Sequence, residues 1–292
     1  AYPFPRKAGT KMRILLAGMM ALLLLRAPET MAAAEAACAL FVRSVMPGLF
    51  PYLTLSQMLV SRCGRDMQPG MLMLLGWCGG SPTGARLLAM QGSRPHRAQK
   101  ALAVSCATMS PMFLLGTIGS WLNSRIAGAI VLLSVLAGGC CAGRLAKRWT
   151  RVTSAEKVPE AAMSPLSFAR AVEDSARTML LVCGTMTMLR VFATLTDFLP
   201  DAMRLPLTTL LEVTTGTVTI ANLPAPLPLR IALLSAATGF GGCAVIMQNR
   251  ALYPQGLMRL GEQLAWQALH GVISGALALG IALLVLSAGG NL

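Results

Sequence analysis

The chain has 292 residues, of which 55% are hydrophobic and 12% charged, and 25 basic against 11 acidic residues give a formal charge of +14. Soluble domains carry about a quarter charged residues, so this composition excludes an ordinary soluble domain. The mean hydropathy of +0.63 and the long apolar runs predict an all-α, polytopic membrane protein whose solvent is the lipid bilayer. The basic residues lie between apolar runs, which argues against a nucleic-acid partner.

Residues 1–30 combine a basic segment with the first apolar run, at residues 14–25. We expect this run to be an uncleaved transmembrane span, and the basic residues before it predict a cytoplasmic N-terminus. Its length also fits the apolar core of a signal peptide, with a cleavage region near residues 32–37.

Residues 31–149 form the first of two predicted repeats. Residues 31–45 are amphipathic and predict an interfacial helix that leads into a span at residues 52–60. Residues 71–90 are apolar but contain four glycines and Pro82, which disfavour a straight helix. Because basic residues flank this stretch on both sides, it predicts a re-entrant hairpin on the cytoplasmic face. The last spans predicted for this repeat lie at residues 101–121 and 126–143.

Residues 150–167 are polar and predict a cytoplasmic linker, after which residues 168–292 repeat the plan. The predicted elements are an amphipathic helix at 168–177, a span at 178–195, an interrupted segment at 205–221, and spans at 227–248 and 264–286. Tracing the faces from a cytoplasmic N-terminus puts this second hairpin outside. The two repeats are therefore predicted to be inverted, with paired broken helices, as in many secondary transporters.

Five Gly- and Pro-containing motifs occur in a fixed order along most of the chain. They are VMPGLFPYLTLSQML from Val45, GGSPTGARL from Gly79, SCATMSPMFLLGTIG from Ser105, LLEVTTG from Leu210 and GFGGCAVIMQ from Gly239. The chain resembles the sporulation integral membrane proteins that carry the Gate, or nucleoside-recognition, domain. The resemblance leads us to expect two asparagines just before the SPMFLLGTIG segment. This chain departs from it there, with Ala107 and Thr108.

This resemblance implies a polytopic protein of the inner membrane of spore formers. The family is similar to concentrative nucleoside transporters in its paired hairpins and broken helices. Its members are associated with movement of the spore solute dipicolinate, so the resemblance implies a small, polar, anionic solute as the partner.

Glu212 is an acidic residue within an interrupted apolar segment, where an ionisable side chain is a functional hypothesis by default. It would accept a coupling proton, join a cation site or hold a solute hydroxyl. The alternative is a structural role as the partner of Arg86 or of nearby backbone N–H groups. Arg86, two residues after Gly84, is predicted either to bind a carboxylate of the solute or to extend to the cytoplasmic face.

The remaining candidate solute contacts lie at the breaks. Helix ends exposed near them would offer free N–H groups to a polar or anionic ligand, although small and hydroxylated residues also serve helix packing in membranes. These candidates are Ser81, Thr83, Gly84, Ser110, Thr214, Thr215, Gly216 and Gln248.

Other chemistry is poorly represented. The eight cysteines form no CxxC pair and the two histidines lie far from thiols, so neither a metal site nor a cofactor is expected. Glu262, Trp266 and His270 share a helix face, which fits either a proton relay or an interfacial stripe. We predict a transporter or facilitator rather than an enzyme, coupled to protons or sodium and able to form homo-oligomers. The alternatives are a non-transporting scaffold or gate subunit in spore assembly and a transporter of nucleoside-like solutes.

Overall fold

In the computed structural model the chain is described at residues 10–63, 67–91, 96–150 and 164–288, and all regular elements in these ranges are helices. Five helical runs are long and apolar enough to span a membrane: Ala27–Cys63, Arg125–Trp149, Phe168–Thr194, Leu227–Leu252 and Leu260–Ser287. The all-α prediction is confirmed for this part of the chain, and the five runs are compatible with a multi-pass membrane protein. Most of the predicted linker, at residues 151–163, lies outside the described residues, as do residues 1–9.

The N-terminal region consists of α1 (Thr10–Leu25), α2 (Ala27–Leu40) and α3 (Met46–Cys63). The predicted interfacial helix and the span after it form one continuous run, which passes through a π-helical turn at Phe41–Val45. Pro47 has no N–H to donate to the carbonyl of Arg43, and a wider turn is the usual response to such a gap. The span is therefore longer than the sequence pattern predicts.

Two pairs of short helices lie where the sequence predicts interrupted segments. The first pair is α4 (Pro69–Gly79) and α5 (Thr83–Met90). A β-carbon on Gly76 of α4 would lie 3.2 Å from the Cα of Gly84 in α5, so glycines permit this close approach.

Two helices are broken at the positions that the Gly and Pro spacing predicts. The first is α6 (His96–Ser105), which unwinds at residues 106–110 and continues as a π-helical segment (Met112–Ile118) and α7 (Gly119–Trp121). The long α8 (Arg125–Trp149) follows.

The second half begins with α9 (Phe168–Thr194), one helix that includes both the predicted amphipathic segment and the span after it. The second short pair is α10 (Asp201–Leu211) and α11 (Val213–Ala221), which meet at Glu212. The second broken helix and the last long helix are α12 (Leu227–Phe240), α13 (Gly242–Leu252) and α14 (Leu260–Ser287).

The order of elements is thus the same in both halves: a long helix, a short pair, a broken helix and a long helix. The main apolar core lies where α14 packs against α12 and α8, around Leu234, Val131 and Ala278. Glycines allow the close contacts there, since a β-carbon on Gly239 would meet the side chain of Ser274 at 2.8 Å. This core fixes the long helices, and the breaks lie beside it.

Candidate functional site

The four chain breaks meet in the interior of the protein. Gly80 has a positive φ of 69° and lies so close to the backbone N of Ser110 that a β-carbon would overlap it. Gly242 has a φ of 70°, and a β-carbon there would lie 3.2 Å from the backbone N of Val213. Each short pair therefore contacts the broken helix of its own half at a residue that must be glycine.

One hydrogen bond joins the two halves at this meeting point. The Ser81 hydroxyl donates to the amide oxygen of Asn249 in α13, with an O···O distance of 2.6 Å. The backbone N–H of Ser81 donates to the carbonyl oxygen of Thr108 at 2.6 Å. The first break is therefore held both by its own half and by the second half.

A cavity lies where the breaks converge. Its wall combines residues from all four breaks with residues of the π-helical turn, α3 and α9. The lining residues are Val45, Leu49, Gly79, Ser81, Met109, Ser110, Phe113, Val182, Met186, Glu212, Val213, Thr214, Ala244, Val245 and Gln248. The volume open to the centre of a water-sized sphere is about 40 Å³, which is room for a few water molecules.

Glu212 closes one side of this cavity and is only 1% exposed. Its extended backbone ends α10, and its carboxylate caps α11 by accepting hydrogen bonds from the backbone N–H groups of Thr214 at 3.0 Å and Thr215 at 2.7 Å. Of the two structural partners considered for Glu212, the backbone is therefore the one present. The positive end of the helix dipole stabilises the carboxylate, and no basic side chain of the described residues lies within 4.0 Å of it.

The rest of the wall is apolar or carries neutral polar groups. Gln248 donates a hydrogen bond from Nε2 to the hydroxyl of Thr185 at 2.8 Å, which fixes its amide beside the cavity. Hydroxyl groups come from Ser81, Ser110 and Thr214. Among the residues that the structure describes, the lining contains one acidic residue and no basic residue, so a bound anion would need a proton on Glu212 or an accompanying cation.

Arg86 does not line the cavity. Its guanidinium donates to the Asp174 carboxylate of α9 at 3.1 Å and to the amide oxygen of Gln57 at 3.0 Å. The side chains of Arg86 and Asp174 are 29% and 14% exposed, so the ion pair is partly buried. Arg86 therefore connects α5 to α9, and the two roles predicted for it from the sequence stay predictions.

Asp174 and the polar network around it were not predicted from the sequence. Gln57 also donates from Nε2 to the hydroxyl of Ser175 at 2.9 Å, and the Thr54 hydroxyl donates to Ser175 at 3.0 Å. Asp174 lies in a segment whose charges indicate an exposed amphipathic helix. The available signal was its position next to Ser175 and one turn after Ala171, two small residues on the buried face of α9.

The ten predicted contact residues divide into two groups. Five of them line the cavity: Ser81, Ser110, Glu212, Thr214 and Gln248. Gly84 and Gly216 are packing positions, where a β-carbon would overlap Cys106 and Thr209 respectively. Thr83 is buried beside Gly84, and its hydroxyl has no hydrogen-bond partner in the described part of the chain.

Thr215 faces a second, wider space of about 590 Å³, which we call the vestibule. Arg190, Asp197, Asp201 and Arg204 line it. Since Thr214 lines the cavity and Thr215 the vestibule, the first turn of α11 lies between the two spaces.

No group of three or more His, Cys, Asp and Glu side chains that would suit a metal ion is found among the described residues. Comparisons with models of protein families, with curated proteins and with solved structures find no match to this chain.

Proposed function

We propose that this protein is a membrane transporter or facilitator for a small polar solute, which binds in the cavity beside Glu212. The observation that carries the proposal is the convergence of four chain breaks on one buried carboxylate. Irregular backbone at membrane depth is tolerated where it is packed in protein or lines a cavity, and paired broken helices are the usual binding-site construction of secondary transporters.

In this proposal the two halves are inverted repeats, and each short helix pair is a re-entrant hairpin in the inner membrane. The repeated order of elements supports this arrangement. The narrow cavity then corresponds to a closed state, and the vestibule to the path on one side. Alternating access would open the cavity by moving the first turn of α11 away from α13.

The charge of the cavity restricts the solute. A dianion such as dipicolinate, which the resemblance to the sporulation Gate-domain proteins suggests, would be repelled by an ionised Glu212. Transport of dipicolinate would therefore bring a proton or a sodium ion into the cavity with it. A neutral, hydroxyl-rich solute of the nucleoside class needs no accompanying ion. It is the second candidate, because the described lining offers a carboxylate that accepts hydrogen bonds from hydroxyl groups and no basic side chain for an anion.

Flux into lipid vesicles that contain the purified protein tests the proposal. Vesicles preloaded with unlabelled dipicolinate or uridine should exchange it for external radiolabelled solute. Glu212→Gln should slow this exchange at least about tenfold, because the amide cannot bind the proton or sodium ion that accompanies the dianion and accepts weaker hydrogen bonds from a solute hydroxyl than a carboxylate does. Ser124→Ala, which removes a helix cap from α8 outside the cavity, should leave the exchange unchanged.

The competing hypothesis is a non-transporting scaffold or gate subunit in spore assembly, and the small volume of the cavity is the observation that favours it. A scaffold would exchange neither solute under any ion gradient. If the protein is a scaffold, Glu212→Gln and Ser124→Ala should impair spore assembly to the same extent. Either result would contradict transport.

A further inference from the structure

A row of buried polar side chains, which we call the file, lies along one face of α14. These side chains are separate from the residues that line the cavity. Gln263, Gln267, His270 and Ser274 are spaced by four, three and four residues, which places them on a single helical face. Each of them is at most 2% exposed. Helices α8 and α12 cover this face.

Several polar atoms of this face have no hydrogen-bond partner within the described part of the chain. They are the Gln263 Oε1, both amide atoms of Gln267 and the His270 Nδ1. The hydroxyls of Ser134 and Ser235 on the covering helices add two more. Buried polar groups are almost always satisfied, and ordered water is the partner when protein atoms are not. The face therefore calls for internal water molecules.

His270 has a defined tautomer. Its Nε2 lies 2.9 Å from the carbonyl oxygen of Val135 in α8. Because a carbonyl can only accept, Nε2 carries the proton and Nδ1 is left as an acceptor without a donor. A water molecule at Nδ1 would supply that donor.

The start of α14 gives the file a connection to the surface. Glu262 precedes Gln263, its side chain is 34% exposed, and it pairs with the Nζ of Lys100 at 2.7 Å. The predicted stripe of Glu262, Trp266 and His270 lies beside this file: Trp266 is buried and contacts Trp149, while Gln263 and Gln267 continue the polar face.

The titratable groups on the helices around α14 are basic side chains and cysteines. The titratable and charged residues on the elements that pack against α14 are Arg97 and Lys100 of α6, Arg125, Cys140, Cys141, Arg144, Lys147 and Arg148 of α8, Arg230 of α12, and Cys243 and Arg250 of α13, besides His96 at the start of α6. None of them is a carboxylate, so Glu262 is the acid associated with this file in the described part of the chain.

We propose that Gln263, Gln267 and His270 line a file of internal water that carries protons between the Glu262 end of α14 and the Nδ1 of His270. A proton adds to the lone pair of Nδ1 to give an imidazolium, and it leaves again from the same nitrogen. The role assigned to this path rests on the proposed function: it makes the proton the coupling ion, at a site separate from the solute cavity.

Nuclear magnetic resonance of the full chain in lipid bilayers tests the water file without any transport assay. The chain has two histidines, so ¹⁵N-histidine labelling gives two sets of imidazole signals, and His96→Gln assigns them. The Nδ1 signal of His270 should exchange magnetisation with water and should shift when the pH is lowered far enough to protonate this nitrogen. A signal that is isolated from water and unchanged by pH overturns the proposal.

Flux measurements test the coupling. His270→Gln should slow uptake driven by a pH gradient at least about tenfold, while solute exchange at equal concentrations stays within about twofold, and His96→Gln should change neither. Gln267→Leu interrupts the file without touching the imidazole and should have the same effect if His270→Gln fails to fold. Unchanged pH-driven uptake in either variant overturns the path. Absence of exchange in the wild-type protein overturns the transport proposal instead, and the resonance experiment still decides the water file.

Discussion

At the scale of single residues, Glu212 serves two purposes that a buried acid rarely combines. Its carboxylate caps α11 through two backbone N–H groups, and the same carboxylate forms part of the cavity wall. Each carboxylate oxygen has a second lone pair, so capping leaves acceptor capacity for a proton, a cation or a hydroxyl.

Substitution of Glu212 should separate the two roles. Glu212→Ala should lower the free energy of unfolding by about 1–2 kcal/mol because the cap is lost, whereas Glu212→Gln keeps a capping oxygen and should cost less. Thermal unfolding of the purified variants in detergent measures both. An equal, large loss of stability in both variants would contradict the assignment of the carboxylate as a cap.

At the scale of elements, close helix contacts hold the short pairs in place. Gly216 of α11 packs against Thr209 of α10, and a β-carbon on Gly216 would overlap the Thr209 side chain and lie 2.6 Å from its Cα. Because the Cα cannot rotate away, the two helices would have to separate.

Gly216→Ala should therefore destabilise the protein by about 1–3 kcal/mol. Gly184 of α9 is a matched control, since nothing lies within 4 Å of a β-carbon there. Gly184→Ala should stabilise the helix by about 0.5–1 kcal/mol. Thermal unfolding distinguishes the two, and a neutral Gly216→Ala would mean that α10 and α11 are not in contact.

The ion pair of Arg86 and Asp174 joins α5 to α9, and hence the first short pair to the long helix of the other half. A double-mutant cycle with Arg86→Gln and Asp174→Asn should give a coupling energy of about 1–3 kcal/mol, since the pair is partly buried. Chemical unfolding of the four proteins measures it. Strictly additive losses would show that the two side chains do not interact.

At the scale of the whole molecule, the proposed inverted repeats fix which loops share a side of the membrane. Phe198, between α9 and α10, is 82% exposed and is expected outside. Gln255, between α13 and α14, is exposed and is expected in the cytoplasm. The separation of these two loops depends on α12 and α13 crossing the bilayer together.

Cysteine labelling tests this topology. In a variant without the eight native cysteines, Phe198→Cys should react with an impermeant maleimide on intact cells and Gln255→Cys should not. Inside-out vesicles should reverse the pattern. Labelling of both positions from the same side would contradict the inverted arrangement.

The sequence predicts much of this fold because its signals are local. Gly80, Ser110, Glu212 and Gly242 mark the four breaks, and backbone breaks follow from glycine, proline and polar residues in apolar runs. The pairing of Arg86 with Asp174 could not be predicted in this way, because it joins residues far apart in the chain and depends on how α5 packs against α9.

The candidate site was predictable to a similar degree. Glu212 and the hydroxyl residues at the breaks follow from their polarity within apolar segments. On α14 the sequence pointed to Glu262, Trp266 and His270 and missed Gln263 and Gln267. These two glutamines are buried because α14 packs closely against its neighbours, where glycines of α8 and α12 contact Ser274.

A structure of the protein in lipid with dipicolinate or uridine bound tests the central claim most directly. The account predicts solute density between Ser81 and Glu212, in contact with Gln248, in a cavity wider than the one described above. Solute density only at the protein surface, or an unchanged closed cavity at saturating concentrations of both solutes, would contradict it.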